Sequence, residues 1–292
     1  MIRETFFSLN FNSLWYLGLG TLSTLLLFFV LFKTKNYRSL LLFLGMVGAG
    51  YTIEYFIFVL LESYAFYPKI ISRDAYYDST MGALASNLLT LPATAALIAV
   101  FRLNWIWIVI FTGIIVGIEW WFTKLGIYRH NWWRFEYTAI GLPIYYSFAK
   151  ALFARLMHPL KGIPYFLTLY LITWALFTIQ FVPLSFFNSR NFNLGWFENR
   201  SHDTTAFSSL SGMLSSIFFV WSSQLKSKYS WLKYLWPVAV VFGVNQFLKI
   251  IGVLHSLVWW DFLYCSAMNF ILLIVIDAIS KRLRNGPISG MN

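Results

Sequence analysis

The amino-acid sequence predicts an all-α integral membrane protein, a polytopic bundle of about nine transmembrane helices. Three observations carry that reading. Hydrophobic residues make up 59% of the 292 positions and charged residues only 11%, against about 25% charged in an ordinary soluble domain. So few charges cannot clothe a water-facing surface. The apolar residues fall in runs of roughly 20, the helical length that crosses a hydrocarbon core of about 30 Å. The lysines and arginines cluster in the short segments between those runs. Helices are expected because lipid offers no partner to an unpaired backbone group and the runs lack the alternation of a barrel. The apolar content excludes disorder, and the single Cys265 excludes a disulfide scaffold.

The spans lie near 14–32, 39–61, 82–101, 104–123, 136–155, 163–184, 207–224, 235–254 and 262–280. The first, Leu14 to Phe32, is long enough to cross, and no small-residue cleavage site follows it, so it reads as a helix and not as a signal peptide. Tight turns are expected at Arg102–Asn104 and His255–Asp261. Spans three and five hold Pro92 and Pro143, which free carbonyls one turn earlier, and Asn87 stands where it can satisfy one. Span two carries Gly45 and Ala49, span four Gly113 and Gly117, and span seven Ser208, Gly212 and Ser216. Small residues four apart let helices approach closely, within the bundle or in a homo- or hetero-oligomer. No polar insertion is long enough for a soluble domain, so residues 1–292 read as a single transmembrane domain with the bilayer as its chief partner. No GxxxxGK[ST] loop is present, which argues against nucleotide hydrolysis, and no cofactor is expected.

Orientation follows from the loops. If Lys33, Lys35 and Arg38 are cytoplasmic, alternate loops add Arg102, Arg155, Lys161, Lys226, Lys228, Lys233, Lys281, Arg282 and Arg284, with no acid among them. The opposite side carries Arg3, Lys69, Arg73, Lys124, Arg129, Arg134, Arg190 and Arg200, balanced by Glu4, Glu62, Asp74, Asp78, Glu136, Glu198, Asp203 and Asp261. The positive-inside rule then places the amino terminus outside and the carboxyl terminus in the cytoplasm. The same distribution disposes of a nucleic-acid partner despite the net charge of +11: no basic stripe with interleaved aromatics remains outside the spans. Trp120–Trp121, Trp132–Trp133, Trp259–Trp260, Tyr64 and Tyr67 fall at span ends as interfacial anchors.

Ionisable residues inside spans are where function is expected. Lys150 is close enough to the inner boundary to snorkel, and Asp277 precedes Lys281 by one turn, which suits a local ion pair. Glu54, Glu119 and Lys249 lie deeper, in the outer half of the membrane, with Asn245 one turn below Lys249. They form either a buried salt bridge or a polar cavity open to the outside. His130, His202 and His255 also fall on the outer side, with Glu136, Asp203 and Asp261 near them, but in separate loops and without ligand spacing, so no metal is assigned. Short internal echoes occur: Ile53–Glu54–Tyr55–Phe56 with Ile118–Glu119–Trp120–Trp121, and Lys124, His130, Trp132–Trp133 with Lys249, His255, Trp259–Trp260. They suggest parallel repeated hairpins.

The run Ile118-Glu119-Trp120-Trp121, followed by Tyr128-Arg129-His130-Asn131-Trp132-Trp133, resembles segments of small multi-pass membrane proteins of Gram-positive, Bacillus-type bacteria. That resemblance implies a bacterial plasma-membrane setting and carries no activity. The functional expectation from the residues is an outward-facing polar site that handles a small polar or charged solute, as a transporter or sensor not driven by ATP. Its candidate residues are Glu54, Glu119, Asn245, Lys249, His130 and His255. The alternatives are a membrane-embedded enzyme acting on lipid or isoprenoid substrates, with outer-face carboxylates and histidines as acid–base groups, and a structural or accessory subunit.

Overall fold

The computed structural model describes residues 10–225 and 231–285. Arg3, Glu4, Lys226 and Lys228 lie outside the described residues. The chain gathers into two compact units, residues 1–157 and 158–292. Unit 1 holds helices α1 (Phe11–Thr34), α2 (Tyr37–Leu60), α3 (Ala75–Val100), α4 (Trp105–Lys124) and α5 (Phe135–Leu156), with strands β1 (Tyr64–Phe66) and β2 (Tyr128–His130). Unit 2 holds α6 (Gly162–Phe186), α7 (Arg200–Ser223), α8 (Leu232–Ile250) and α9 (Asp261–Asn285), with β3 (Arg190–Phe192) and β4 (Leu254–Ser256). Seven of these helices are long and apolar enough to cross a membrane; α5 and α8 are not among them. Tyrosines, a proline and basic residues dilute α5, and α8 is short with Lys233, Lys249 and Pro237 inside it. The chain is a helical membrane protein.

Two helices begin well before the apolar runs that announced them, α3 at Ala75 and α7 at Arg200. The reason is the same in both. Asp74 and Asn199 are N-caps whose side chains accept backbone N–H bonds from the first turn. One turn on, Asp78 accepts from the N–H groups of Lys69, Ile70 and Ile71 at 2.6–2.9 Å. Asp203 accepts from Leu194, Gly195 and Trp196 at 2.7–3.0 Å. A carboxylate satisfied by three amides tolerates burial, and it turns the preceding loop over the helix start. The next residue repeats the logic, for the Ser79 hydroxyl accepts from Phe66 N–H and the Thr204 hydroxyl from Phe192 N–H.

These matches belong to an order of elements that recurs in each unit. After α1, each unit runs helix, strand, helix, helix, strand, helix. β1 pairs antiparallel with β2, with Tyr64 opposite His130 and Phe66 opposite Tyr128. β3 pairs with β4, with Arg190 opposite Ser256 and Phe192 opposite Leu254. Each ladder continues by one backbone bond, Tyr67 to Ile127 and Asn193 to Val253, both 2.9 Å. Each second strand follows a glycine with positive φ, Gly126 at 69° and Gly252 at 77°, a turn that a Cβ would strain. In register, then, Ser256 and not His255 answers His130, one residue from the echo visible in the sequence. The Glu54 and Glu119 segments, which also look alike, lie within one unit and are not copies.

In unit 1, α2 packs on α3 and α5, and α4 packs on α5. The C-terminal half of α3 is the centre, with Ala93, Ala95, Ala96 and Ile98 fully buried. Two stretches have widened, π-type turns, Tyr55–Leu60 in α2 and Leu84–Thr90 in α3. The second directly precedes Pro92, whose ring would clash with the carbonyl four residues back in an undistorted helix. In unit 2, α6 packs on α7 and α9, and α8 packs on both. Asp277 binds Lys281 at 2.8 Å and also Lys233 at 2.8 Å, so the expected helical pair is part of a larger cluster. Lys150 donates to the Leu103 carbonyl at 2.6 Å.

The small-residue stripes divide. A Cβ on Gly212 would stand 2.5 Å from the Trp174 ring and 2.9 Å from Phe177, so α7 meets α6 there backbone to side chain. Gly113 and Gly117 face open space. Replacing Gly212 by Leu therefore overpacks a closed interface, and unfolding in detergent should show a loss of about 1–3 kcal/mol or more. Gly113→Leu should leave the same transition within about 0.5 kcal/mol of wild type.

Candidate functional site

A cavity with a volume of about 190 Å³ lies in unit 1. Its walls are mostly hydrocarbon and rings, including Leu19, Ile53, Ile57, Leu91, Ile115 and Phe122. Two carboxyls face it, Glu54 and Glu119. The other polar groups are side-chain hydroxyls, the Asn87 amide and the Trp133 indole: Tyr16, Tyr64, Tyr128, Tyr137, Tyr145, Ser86, Thr90 and Thr138 supply the hydroxyls. Both widened turns border the cavity. Glu54 immediately precedes the one in α2, and Ser86, Asn87 and Thr90 belong to the one in α3. A π-type turn rotates the following side chains relative to those before it, and such turns recur at functional sites.

The two carboxyls are held alike. Glu54 Oε1 accepts a hydrogen bond from the Tyr64 hydroxyl. Glu119 Oε1 lies 2.6 Å from His130 Nε2, with side-chain exposures of 9% and 16%, so the contact is nearly out of solvent. Tyr64 and His130 are direct cross-strand partners in the β1–β2 ladder. Residues opposite one another in an antiparallel pair project from the same face. One three-residue ladder thus presents two side chains side by side, one to a carboxyl on α2 and the other to a carboxyl on α4. Rings fix both. Tyr64 stacks on Phe58 at 5.6 Å and meets Trp133 edge-on at 5.6 Å, and His130 meets Phe135 at 4.7 Å. Burial, reinforced by Glu54, pushes the Tyr64 phenol well above its ordinary range. Burial and then Glu119 do the same for Tyr128. Both phenols therefore stay protonated, and Tyr64 donates to Glu54.

Glu54 Oε2 is buried and accepts no hydrogen bond within 3.5 Å among the described residues, the Asn87 side chain being the other polar group that acts on this carboxyl besides Tyr64. A buried carboxyl oxygen so weakly satisfied is costly in any structure that does not use it.

Of the six residues singled out in the sequence, the fold brings three together: Glu54, Glu119 and His130. Asn245, Lys249 and His255 belong to unit 2. Asn245 lines a small cavity there, Lys249 is exposed with its ammonium 5.2 Å from the Phe262 ring, and His255 is exposed on β4. Glu119 is held by a histidine of its own unit, because β2 returns the chain to it only 11 residues later. His202 stacks on Phe197 at 3.6 Å, away from the other histidines in sequence and in partner. Sequence reasoning missed Tyr64, Trp133 and Thr138 as parts of the site. Tyr64 and Trp133 read there as interfacial anchors, and only the pairing of two short strands shows that one of them binds a carboxyl.

If Tyr64 holds Glu54 as described, Tyr64→Phe removes a hydrogen bond to a buried carboxyl and should lower unfolding stability by about 1.5–3 kcal/mol. Tyr137→Phe, at an exposed side chain of the same cavity lining, is the control and should change it little. Equal stability of the Tyr64→Phe protein and wild type would contradict the assignment. Compared with known protein families, curated proteins and solved structures, the chain matches none.

Proposed function

We propose that unit 1 binds an apolar, membrane-dissolved molecule in its cavity and transfers protons on it with Glu54 and Glu119. The observation that carries the reading is two carboxyls facing one cavity whose remaining walls are largely hydrocarbon and aromatic. A site for a small polar solute would need several convergent polar partners for it. Here most polar groups are already occupied by the protein. An apolar chain offers the walls the contacts they lack, and a cavity of this size accepts a length of hydrocarbon. The reading therefore favours a membrane-embedded enzyme on a lipid or isoprenoid over a transporter or sensor of polar solutes.

The chemistry follows from the groups present. A carboxyl in an apolar site can give a proton to an unsaturated carbon or a carbonyl, and a second can take one from a neighbouring carbon. Such a double-bond shift balances without cofactor or co-reactant. Glu54 would work through Oε2, with Tyr64 holding Oε1. Glu119 would exchange protons through His130, which is part-exposed at the end of β2 and connects the carboxyl to the aqueous edge.

The same proposal takes all nine helices as spans, with the amino terminus outside and the carboxyl terminus in the cytoplasm, on the distribution of basic residues. It places the chain in the plasma membrane on the resemblance at Ile118–Trp133. The cavity then lies in the outer half of the bilayer. In a Cys265-free background, single cysteines at Arg73, Arg134 and Arg200 should react with an impermeant thiol reagent in intact cells. Those at Lys35, Lys161 and Arg284 should react only after lysis, and labelling of the latter set from outside would overturn the orientation.

The catalytic reading is tested in membranes expressing the protein in heavy water. Neutral lipids should acquire deuterium at carbon, read by mass spectrometry of the extract. Glu54→Gln and Glu119→Gln should each reduce that incorporation by about 10²–10⁴-fold, the usual share of a general acid or base. Unchanged incorporation in both variants would refute it.

A further inference from the structure

The repeat places a second cavity at the corresponding point of unit 2. Its volume is about 20 Å³. Phe192 of β3 lines it as Phe66 of β1 lines the first, and Val241 of α8 lines it as Ile115 of α4 does. α7 contributes Ser208, Ser211 and Ser215, where α3 contributes Ser86, Asn87 and Thr90. α6 contributes Gln180 and Phe181, where α2 contributes Ile53 and Glu54.

The substitutions between the copies all act in one direction. Asn245 holds the place of Glu119: each lies seven residues before the positive-φ glycine, Gly252 or Gly126, that opens the following strand. The α6 segment likewise presents an amide, Gln180, which donates to Asn269 at 3.1 Å. Both carboxyls are thus absent from this cavity. Arg190 holds the strand position of Tyr64, and Asp261, the first residue of α9, holds that of Phe135, the first residue of α5. Arg190 grips Asp261 bidentately, Nε to Oδ1 at 2.8 Å and Nη2 to Oδ2 at 2.9 Å. Their exposures are 4% and 0%, so the pair is buried, and Arg190 lines the cavity copy. A guanidinium–carboxylate fork is planar and rigid, and removing one side alone strands the other charge.

We infer that unit 2 holds a closed counterpart of the unit 1 cavity that lacks its carboxyls, with room for about one buried water among its amides and serines, and that Arg190 and Asp261 keep it closed. Where unit 1 does proton chemistry, unit 2 does none. That last clause rests on the proposed function, whereas the closure does not.

Diisopropylcarbodiimide, a small apolar reagent for buried carboxyls, tests the closure with no substrate needed. In the Asn245→Glu protein the new carboxyl should be labelled at least about tenfold less than Glu54 of the same molecule, because a cavity fit for one water excludes the reagent. Adding Arg190→Tyr and Asp261→Phe, the unit 1 residues, should raise labelling at position 245 by a similar factor. Labelling at 245 equal to that at Glu54 in the single variant overturns the inference. So does a folded triple variant that remains unlabelled. If the triple variant is not recovered folded, the reverse exchange decides: Tyr64→Arg with Phe135→Asp should suppress labelling of Glu54, and undiminished labelling counts against closure. Labelling is independent of lipid turnover, so failure here and failure of the catalytic reading are separate results.

Discussion

Every polar group carried into hydrocarbon must find its partner within the protein, and that constraint shapes both units. It explains why loops at the helix ends are drawn into short ladders, β1 with β2 and β3 with β4, where their amides and carbonyls satisfy one another. It explains why Asp78 and Asp203 are buried, since each gathers three loop amides that would otherwise be unpaired. And it explains the site. Glu54 and Glu119 stay in an apolar wall because a strand pair delivers a phenol to one and an imidazole to the other. Several buried side-chain atoms among the described residues stand outside that rule, the Arg38 guanidinium among them, and Glu54 Oε2 is the one that belongs to the cavity lining.

The two units show what the scaffold fixes and what it leaves free. Ladder register, the capping aspartates and the glycine turns recur in both, and these hold the backbone. Several of the residues that differ face the cavities. Exchanging Tyr64 and Phe135 for Arg190 and Asp261 turns a hydrogen-bond donor beside an open space into an ion-paired strut. Exchanging Glu119 for Asn245 removes a titratable group from that space. The same fold is thereby a container in one copy and a brace in the other.

Much of the fold was legible in the sequence. The nine helical segments lie close to the apolar runs, because a stretch that must cross hydrocarbon announces itself by composition alone. The misplaced boundaries were those of α3 and α7, whose first turns are polar and are made helical by Asp78 and Asp203 through contacts that hydropathy does not register. Three-residue strands left no trace, since Tyr64–Phe66 and Tyr128–His130 look like interfacial aromatics in any window. The depth of Glu54 and Glu119 marked them as candidates, and they do share a cavity. Their partners were not legible. Lys249 looked like a counter-ion by depth, whereas chain return through β2 gives Glu119 to His130, and no spacing rule encodes that. The repeat was audible only as an echo one residue out of register, because the two units share the glycine turns at Gly126 and Gly252 and differ in the side chains around them.

The central claim is that the unit 1 cavity takes an apolar molecule against its two carboxyls. A long-chain hydrocarbon bearing a mid-chain diazirine, photoactivated in membranes that contain the protein, measures this directly through the residues it marks. The account predicts adducts on the cavity wall at Ile53, Leu91, Ile115 and Glu119, suppressed by an excess of the cell's own neutral lipid extract. Adducts confined to outward helix faces such as Leu22, Phe32 and Ile110, with none on the cavity wall, would contradict it.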